Sequence, residues 1–148
     1  MKFSTRFDVD STADDLFAAI SDFNRLERVL RRRGTSVSRV APDAGPVGWL
    51  IGFDWRGRPR KLRLEVTRSD PPEHLTMAGT SEALDVAIEA SVVALSPSRS
   101  RLIFETTLRP RNMRARLMLQ TAKLAKPQLD RKYDRRIAEF LDHMRARA

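Results

Sequence analysis

The feature that most constrains the fold is a change of hydrophobic period near residue 110. Through residues 35–110 apolar and polar residues alternate, which predicts strands that each bury one face. Through residues 112–147 apolar residues recur every three or four positions, which predicts one long helix. Short polar turns at 70–73 and 96–98 separate the predicted strands. We therefore expect an antiparallel meander followed by a helix.

The N-terminal segment predicts a strand and two short helices. Residues 2–9 alternate between apolar and polar, as in a strand with one buried face. Ser11 is the expected N-cap of the first helix, and two carboxylates follow in its first turn. A second helix is expected over residues 22–33, and Gly34 is expected to end it in the left-handed conformation.

The predicted C-terminal helix has an apolar stripe along its length. Pro127 lies inside the helix and should kink it, because proline lacks the backbone N–H that the helix needs. Met113, Leu117 and Leu124 form a second apolar line on the opposite side of the first half. The main stripe comprises Ala115, Met118, Ala122, Ala125, Leu129, Tyr133, Ile137, Phe140 and Met144.

The order of strand, two short helices, meander and long helix resembles the SRPBCC (START, or birch-pollen-allergen-like) superfamily. Within that superfamily it is similar to the polyketide cyclase/dehydrase and coenzyme Q-binding branch. Residues 7–22, FDVDSTADDLFAAISD, look like the opening strand and first helix of the family. The resemblance covers the chain and implies a single domain over residues 1–148. The implied fold is an α+β helix grip, in which a curved antiparallel sheet wraps around a long C-terminal helix and two short helices follow the first strand.

The resemblance also implies a function. Members of the superfamily bind lipids, sterols, polyketides or quinones in an apolar cavity between sheet and helix, so we expect binding of a small hydrophobic ligand. Some members catalyse cyclisation, so an enzyme of the polyketide cyclase/aromatase kind is an alternative. Others bind proteins or ribosomes, which makes a basic interaction protein the second alternative. The fold by itself does not choose among these functions.

Inward alternation on the strands, together with small residues on the helix, predicts where a ligand would lie. Ala115, Ala122 and Ala125 should leave room where the helix crosses the sheet. The predicted ligand-binding residues are Trp49, Ile51, Phe53, Leu64, Met77, Val86, Ile88, Phe104, Thr106, Met118, Ala122 and Tyr133.

Few residues of the chain suit catalysis. Thr106 and Tyr133 are the polar members of the inward set, and Tyr133 is the catalytic candidate, because its ring can pack while its hydroxyl orients a ligand. The alternative, which we favour, is a core tyrosine whose hydroxyl reaches solvent. We expect His74 and His143 to be exposed and inert, and no carboxylate pair has a spacing suited to acid–base chemistry. Whether the chain is an enzyme stays open.

Composition excludes several kinds of site. The chain has 148 residues, 2 histidines and no cysteine, which rules out disulfides, cysteine nucleophiles and thiolate zinc sites. We therefore expect neither a metal nor a cofactor. The first residues contain no apolar core of signal-peptide length, and no segment approaches the roughly 20 apolar residues that span a bilayer. A cytoplasmic location is the resulting prediction.

The net charge is +9, from 28 basic and 19 acidic residues, and 23 of the basic residues are arginine. The basic residues cluster at 31–33, 56–63 and 109–116, and residues 112–148 contribute +6 of the net charge. Such charge suits an anionic membrane or the phosphates of RNA and the ribosome as partners. A general preference for arginine in the composition is the simpler explanation, and we favour it.

Overall fold

The main element of the fold is one antiparallel sheet of seven strands. A computed structural model describes residues 1–40, 46–55 and 57–145 of the chain. The strands are β1 (Lys2–Val9), β2 (Ser36–Val40), β3 (Gly48–Trp55), β4 (Arg58–Asp70), β5 (His74–Thr80), β6 (Leu84–Ser96) and β7 (Arg99–Pro110). Their spatial order is β1-β7-β6-β5-β4-β3-β2, with every pairing antiparallel, so the predicted meander is confirmed.

Two short helices, α1 (Ala13–Ile20) and α2 (Phe23–Arg32), follow β1 as predicted. The N-cap of α1 is Thr12, whose hydroxyl accepts a hydrogen bond from the backbone N–H of Asp15 at 3.0 Å. The prediction of Ser11 as the cap was wrong by one residue, because the Thr12 side chain takes the capping role, while the Ser11 hydroxyl donates to the Thr12 carbonyl at 3.4 Å. Gly34 has a φ of +85°, which confirms its left-handed conformation after α2.

The predicted long C-terminal helix is confirmed, and a short 3₁₀ turn interrupts its α-helical pattern just before Pro127. The segment consists of α3 (Met113–Ala122), a 3₁₀ turn (Lys123–Ala125) and α4 (Lys126–Arg145). The break precedes Pro127 because the proline ring clashes with the carbonyl four residues earlier and its nitrogen cannot donate to it. Proline is tolerated in the first turn of a helix, and Pro127 lies in the first turn of α4. Ala125 is consequently exposed and leaves the predicted stripe, and the predicted end at Arg147 lies outside the described residues.

The sheet curves around the C-terminal helices, which confirms the predicted α+β helix-grip fold. The helix α4 packs on β1 and on both short helices, while α3 contacts β7. Apolar residues from the helices and from one face of the sheet form the core, including Leu16, Phe17, Ile20, Leu26, Val29, Trp49, Leu64, Leu75, Val92, Leu102, Leu141 and Met144.

Candidate ligand-binding site

The strand register places the predicted sheet residues on one face. Directly opposed residues of antiparallel strands project to the same side, and Met77 is opposite Ile88, which is opposite Thr106. This face bears the C-terminal helices, because Thr106 contacts Tyr133 of α4, and we call it the concave face. It carries every predicted ligand residue of the sheet: Trp49, Ile51, Phe53, Leu64, Met77, Val86, Ile88, Phe104 and Thr106.

The concave face has two regions that differ in accessibility. In the closed region the side chains are buried beneath α1, α2 and the end of α4; it comprises Val9, Trp49, Ile51, Leu64, Leu75, Met77, Ala90, Val92 and Leu102. In the open region the side chains point the same way and are only half-buried; it comprises Phe53, Arg60, Leu62, Val86, Ile88, Thr106 and Leu108. Met118, Ala122 and Tyr133 of the C-terminal helices are half-buried as well.

The two polar residues predicted to point inward contact each other. The hydroxyls of Thr106 and Tyr133 lie 3.0 Å apart, within hydrogen-bond distance. The Tyr133 ring stacks on Phe3 with centroids 5.2 Å apart, and the Lys126 ammonium lies 4.5 Å from the centre of the same Phe3 ring. These contacts fix the tyrosine hydroxyl at the border of the open region, where it can meet a polar group of a ligand.

The protonation state of Tyr133 follows from this setting. Burial raises its pKa above the ordinary value, the hydrogen bond with Thr106 lowers it, and the charges of Asp134 and Glu105 raise it again. The net direction is upward, so the phenol stays protonated at neutral pH. Its role toward a ligand is therefore that of a hydrogen-bond donor or acceptor, rather than that of an ionised base.

Glu27 is a buried carboxylate that the sequence did not reveal. It accepts hydrogen bonds from the guanidinium of Arg39 at 2.9 and 3.2 Å and from the indole N–H of Trp49 at 3.2 Å. Phe23 lies edge-on to the Trp49 ring at 5.2 Å. Together these contacts join α2 to β2 and β3 and stabilise the closed region. The helical position of Glu27 was visible in the sequence, but its partners on β2 and β3 were not.

Arg60 is the second residue that the sequence reasoning missed, since it was counted only with the basic cluster of the β3–β4 hairpin. Its place opposite Phe53 puts it on the concave face, in the open region. The signal was present in the sequence: the inward alternation of Leu62, Leu64 and Val66 extends back to residue 60.

Within residues 1–40, 46–55 and 57–145, the histidines and carboxylates form no catalytic group on the concave face. His143 is exposed as predicted, and His74 is half-buried with its Nδ1 3.5 Å from the Ser91 hydroxyl. A surface concavity of about 330 Å³ lies beside that pair, at the β4–β5 turn and the start of α1, away from the open region. Glu105 points away from the concave face, as predicted, and forms an ion pair with Lys2 at 2.6 Å.

The basic clusters lie on the surface. Arg31, Arg32 and Arg33 are exposed at the end of α2, and Arg111, Arg114 and Arg116 are exposed around the start of α3. Arg56 of the hairpin cluster lies outside the described residues, as does Arg147. The predicted second apolar line of α3 is exposed, with Met113, Leu117 and Leu124 at 64, 56 and 86%. A membrane, RNA or ribosome partner for these surfaces stays a prediction.

Residues 1–40, 46–55 and 57–145 contain no cluster of three histidine, cysteine or acidic side chains placed to hold a metal ion. In the same ranges, no helix combines the length and apolar character needed to cross a bilayer.

Comparison with solved structures identifies the fold. The chain matches the Zhui aromatase/cyclase from Streptomyces sp. R1128 with a TM-score of 0.69 and 14% identity, covering 98% of this chain and 91% of that one. It matches norcoclaurine synthase from Thalictrum flavum with a TM-score of 0.71 and 11% identity, covering 98% and 84%. A START superfamily protein from Mycobacterium smegmatis matches with a TM-score of 0.57 and 14% identity, covering 88% and 95%. No family model and no curated protein matches the sequence.

The chain therefore has the helix-grip fold of the SRPBCC superfamily, which confirms the fold that the resemblance implied. Sequence identities of 10–14% establish the fold alone. Membership of the superfamily, and of its polyketide cyclase/dehydrase and coenzyme Q-binding branch, stays a prediction.

Proposed function

We propose that this protein binds a small hydrophobic ligand, such as a lipid, polyketide or quinone, between the open region of the concave face and the C-terminal helices. The observation that carries the proposal is the half-burial of Val86, Ile88 and Leu108 on the same face that forms the core elsewhere. Apolar side chains that lie on the inner face of the sheet and still contact solvent form a surface that a hydrophobic ligand would cover.

The helix side of the proposed site is lined by residues of different size. Met118 and Ala122 of α3 are half-buried, and Tyr133 of α4 supplies a hydroxyl at the border. The small side chain of Ala122 leaves space that a ligand can occupy. Structural neighbours support this class of function: a structure of the Thalictrum flavum norcoclaurine synthase holds dopamine and hydroxybenzaldehyde.

The test is to fill the site from the helix side. Ala122→Phe adds a ring at the last residue of α3, and we expect it to weaken uptake of Nile red, a neutral hydrophobic fluorophore, at least tenfold, which is about 1.4 kcal/mol. Ala125→Phe is the matched control, because it adds the same ring three residues later at an exposed position. Both variants should keep cooperative thermal unfolding. Nile red binding that is equal in Ala122→Phe and Ala125→Phe would remove the ligand from this site.

A cyclase/aromatase-type enzyme is the second candidate function, and the convergence of the Thr106 and Tyr133 hydroxyls favours it. A pair of hydroxyls beside an apolar surface can hold a carbonyl of a flexible chain in a reactive shape. The test is cyclisation of a poly-β-keto thioester by the natural protein and by Tyr133→Phe. Absence of turnover by the natural protein, or full turnover by the variant, contradicts this role.

A further inference from the structure

Arg60 is a cation that faces the inside of the fold. It lies opposite Phe53 in the β3–β4 register, and two residues along the strand Leu62 lies opposite Ile51 of the core. Because side chains alternate along a strand, Arg60 projects to the concave face while its neighbour Lys61 projects to the convex face. Arg60 is half-buried, whereas Lys61 is exposed.

One N–H donor of the Arg60 guanidinium is buried without a hydrogen bond to any described residue. This donor is the Nε–H group. Arginine carries five N–H donors and remains charged at any pH a protein tolerates, so it cannot lose this donor by deprotonation. Buried polar groups are nearly always hydrogen-bonded, and an exception needs a physical explanation.

Arg39 shows how the fold satisfies another arginine on the same face. Arg39 lies opposite Trp49, and its guanidinium donates to Glu27 and to the side-chain oxygen of Asn24. No such acceptor serves Arg60, since the described strand residues of the concave face include no aspartate or glutamate. The protein thus provides a carboxylate for Arg39 and, within the described strands, none for Arg60, which faces the open region.

The position of Arg60 relates it to the proposed ligand site. Leu62 connects Arg60 to the middle of the open region. Gly79, which is opposite Val86, has no side chain, and Leu62 Cδ1 lies beside it, only 3.0 Å from where a Cβ would be. The hydrocarbon chain of a ligand that lies across Val86 and Leu62 would therefore have one end near Arg60. A guanidinium binds a carboxylate through two parallel N–H···O bonds, which makes a carboxylate its best-matched single anionic partner.

We propose that Arg60 binds the carboxylate of an amphipathic ligand, so that the natural ligand is a hydrophobic monocarboxylic acid. This inference rests on the proposed function, because the hydrocarbon part of the acid would lie in the open region. Arg60 is half-buried, whereas Arg58 two residues earlier on the same face is exposed, so Arg60 is the cation that a carboxylate inside the open region would meet. The apolar residues beside it match an aliphatic or aromatic body.

The experiment compares three probes with the same alkyl chain: decanoate, decanol and decylamine. Calorimetric binding to the natural protein should show decanoate bound at least tenfold more tightly than decanol, because hydrogen bonds to charged groups are the stronger ones. Decylamine should bind most weakly. Arg60→Gln should weaken the binding of decanoate at least tenfold, so that its preference over decanol is lost, and should leave the affinity for decanol unchanged. Lys61→Gln is the matched control, because it removes the same charge from the opposite face and should change neither affinity.

The outcomes separate this inference from the proposed function. Equal binding of decanoate and decanol by the natural protein, or unchanged decanoate binding by Arg60→Gln, would overturn the carboxylate inference while hydrophobic binding stands. Binding of neither decanol nor Nile red would overturn the proposed function and the inference with it. Thermal unfolding of each variant identifies a loss of folding, and Arg60→Lys, which keeps the charge, should restore part of the preference for decanoate.

Discussion

The closed and open regions of the concave face have similar side chains and differ in what covers them. Over the closed region, α1, α2 and the end of α4 bury Trp49 and Leu102 almost completely, at 1 and 2% exposure. In the open region, Val86 and Ile88 of β6 point to the same concave face and stay half-buried. Apolar strand residues thus become core or accessible site according to the helices above them.

The cover differs for reasons that lie in the sequence. The short helices begin at good caps, Thr12 and Asp22, and Glu27 joins the second helix to the sheet. The C-terminal helices contact the sheet mainly through α3 on β7 and α4 on β1, and an exposed 3₁₀ turn, preceded by the small residue Ala122, separates the two helices. An interrupted helix with small side chains covers less of the sheet than a continuous one.

The largest expected effect comes from truncating one side chain in each region. Leu16 of α1 is fully buried over the closed region, so Leu16→Ala should lower the free energy of unfolding by about 3 kcal/mol. Ile88→Ala removes a half-buried side chain in the open region and should cost about 1 kcal/mol, because less of it leaves water on folding. Urea denaturation measures both values.

The same pair of variants should behave in the opposite way toward Nile red. We expect Ile88→Ala to change the affinity for the probe and Leu16→Ala to leave it unchanged under conditions where the protein is folded. Equal costs in stability would mean that the open region is packed like the core, and the comparison of the two regions would then be broken.

The second-largest effect concerns the hydrogen bonds of Glu27, which hold α2 against the closed region. Glu27→Ala leaves the Trp49 indole N–H buried without its acceptor and Arg39 without its carboxylate, and should cost about 2 kcal/mol. Glu139→Ala is the control, since Glu139 is also a helical glutamate paired with an arginine, Arg33 at 3.4 Å, but is exposed. Its removal should cost less than about 0.5 kcal/mol. Similar unfolding midpoints for the two variants would show that Glu27 does not stabilise the closed region.

Most of the fold could be predicted because it depends on local pattern. Alternation over residues 35–110 and the polar turns between strands determine the meander, and Gly34 marks the end of α2. The error at α1 fell where two neighbouring residues compete. Ser11 and Thr12 are both good caps, and they differ only in which hydroxyl accepts from the Asp15 N–H. In the C-terminal helix, Pro127 indicated an irregularity but not the 3₁₀ turn that precedes it.

The site was less predictable because its polar contacts join distant segments. Inward alternation placed Thr106 and Tyr133 near each other, but their hydrogen bond depends on how α4 crosses the sheet. Glu27 and Arg60 were missed because the sequence shows a charged residue without showing its partners. The alternation alone would have put Arg60 on the inner face, and only the structure shows that its Nε has no hydrogen-bond partner among the described residues.

The smallest effect concerns the border of the two regions, and Tyr133 reports it directly because it is the only tyrosine in the chain. Tyr133→Phe removes one hydrogen bond with Thr106 and should cost about 1 kcal/mol. Because burial raises the folded-state pKa of Tyr133, its contribution is complete below the ordinary tyrosine pKa and is lost as the pH rises through the folded value. The stability of the natural protein should therefore fall more steeply in alkali than that of Tyr133→Phe.

The ultraviolet absorbance of tyrosinate measures the titration of Tyr133 alone, because the chain has no other tyrosine. In the natural protein this titration should be displaced to higher pH than in the unfolded chain, since burial is the first cause of the shift. Saturation with decanol should move it higher again, because a neutral ligand in the open region removes water from the phenol. A titration that decanol leaves unchanged would place the ligand away from Tyr133, whereas a further rise would bring the border of the open region into the site.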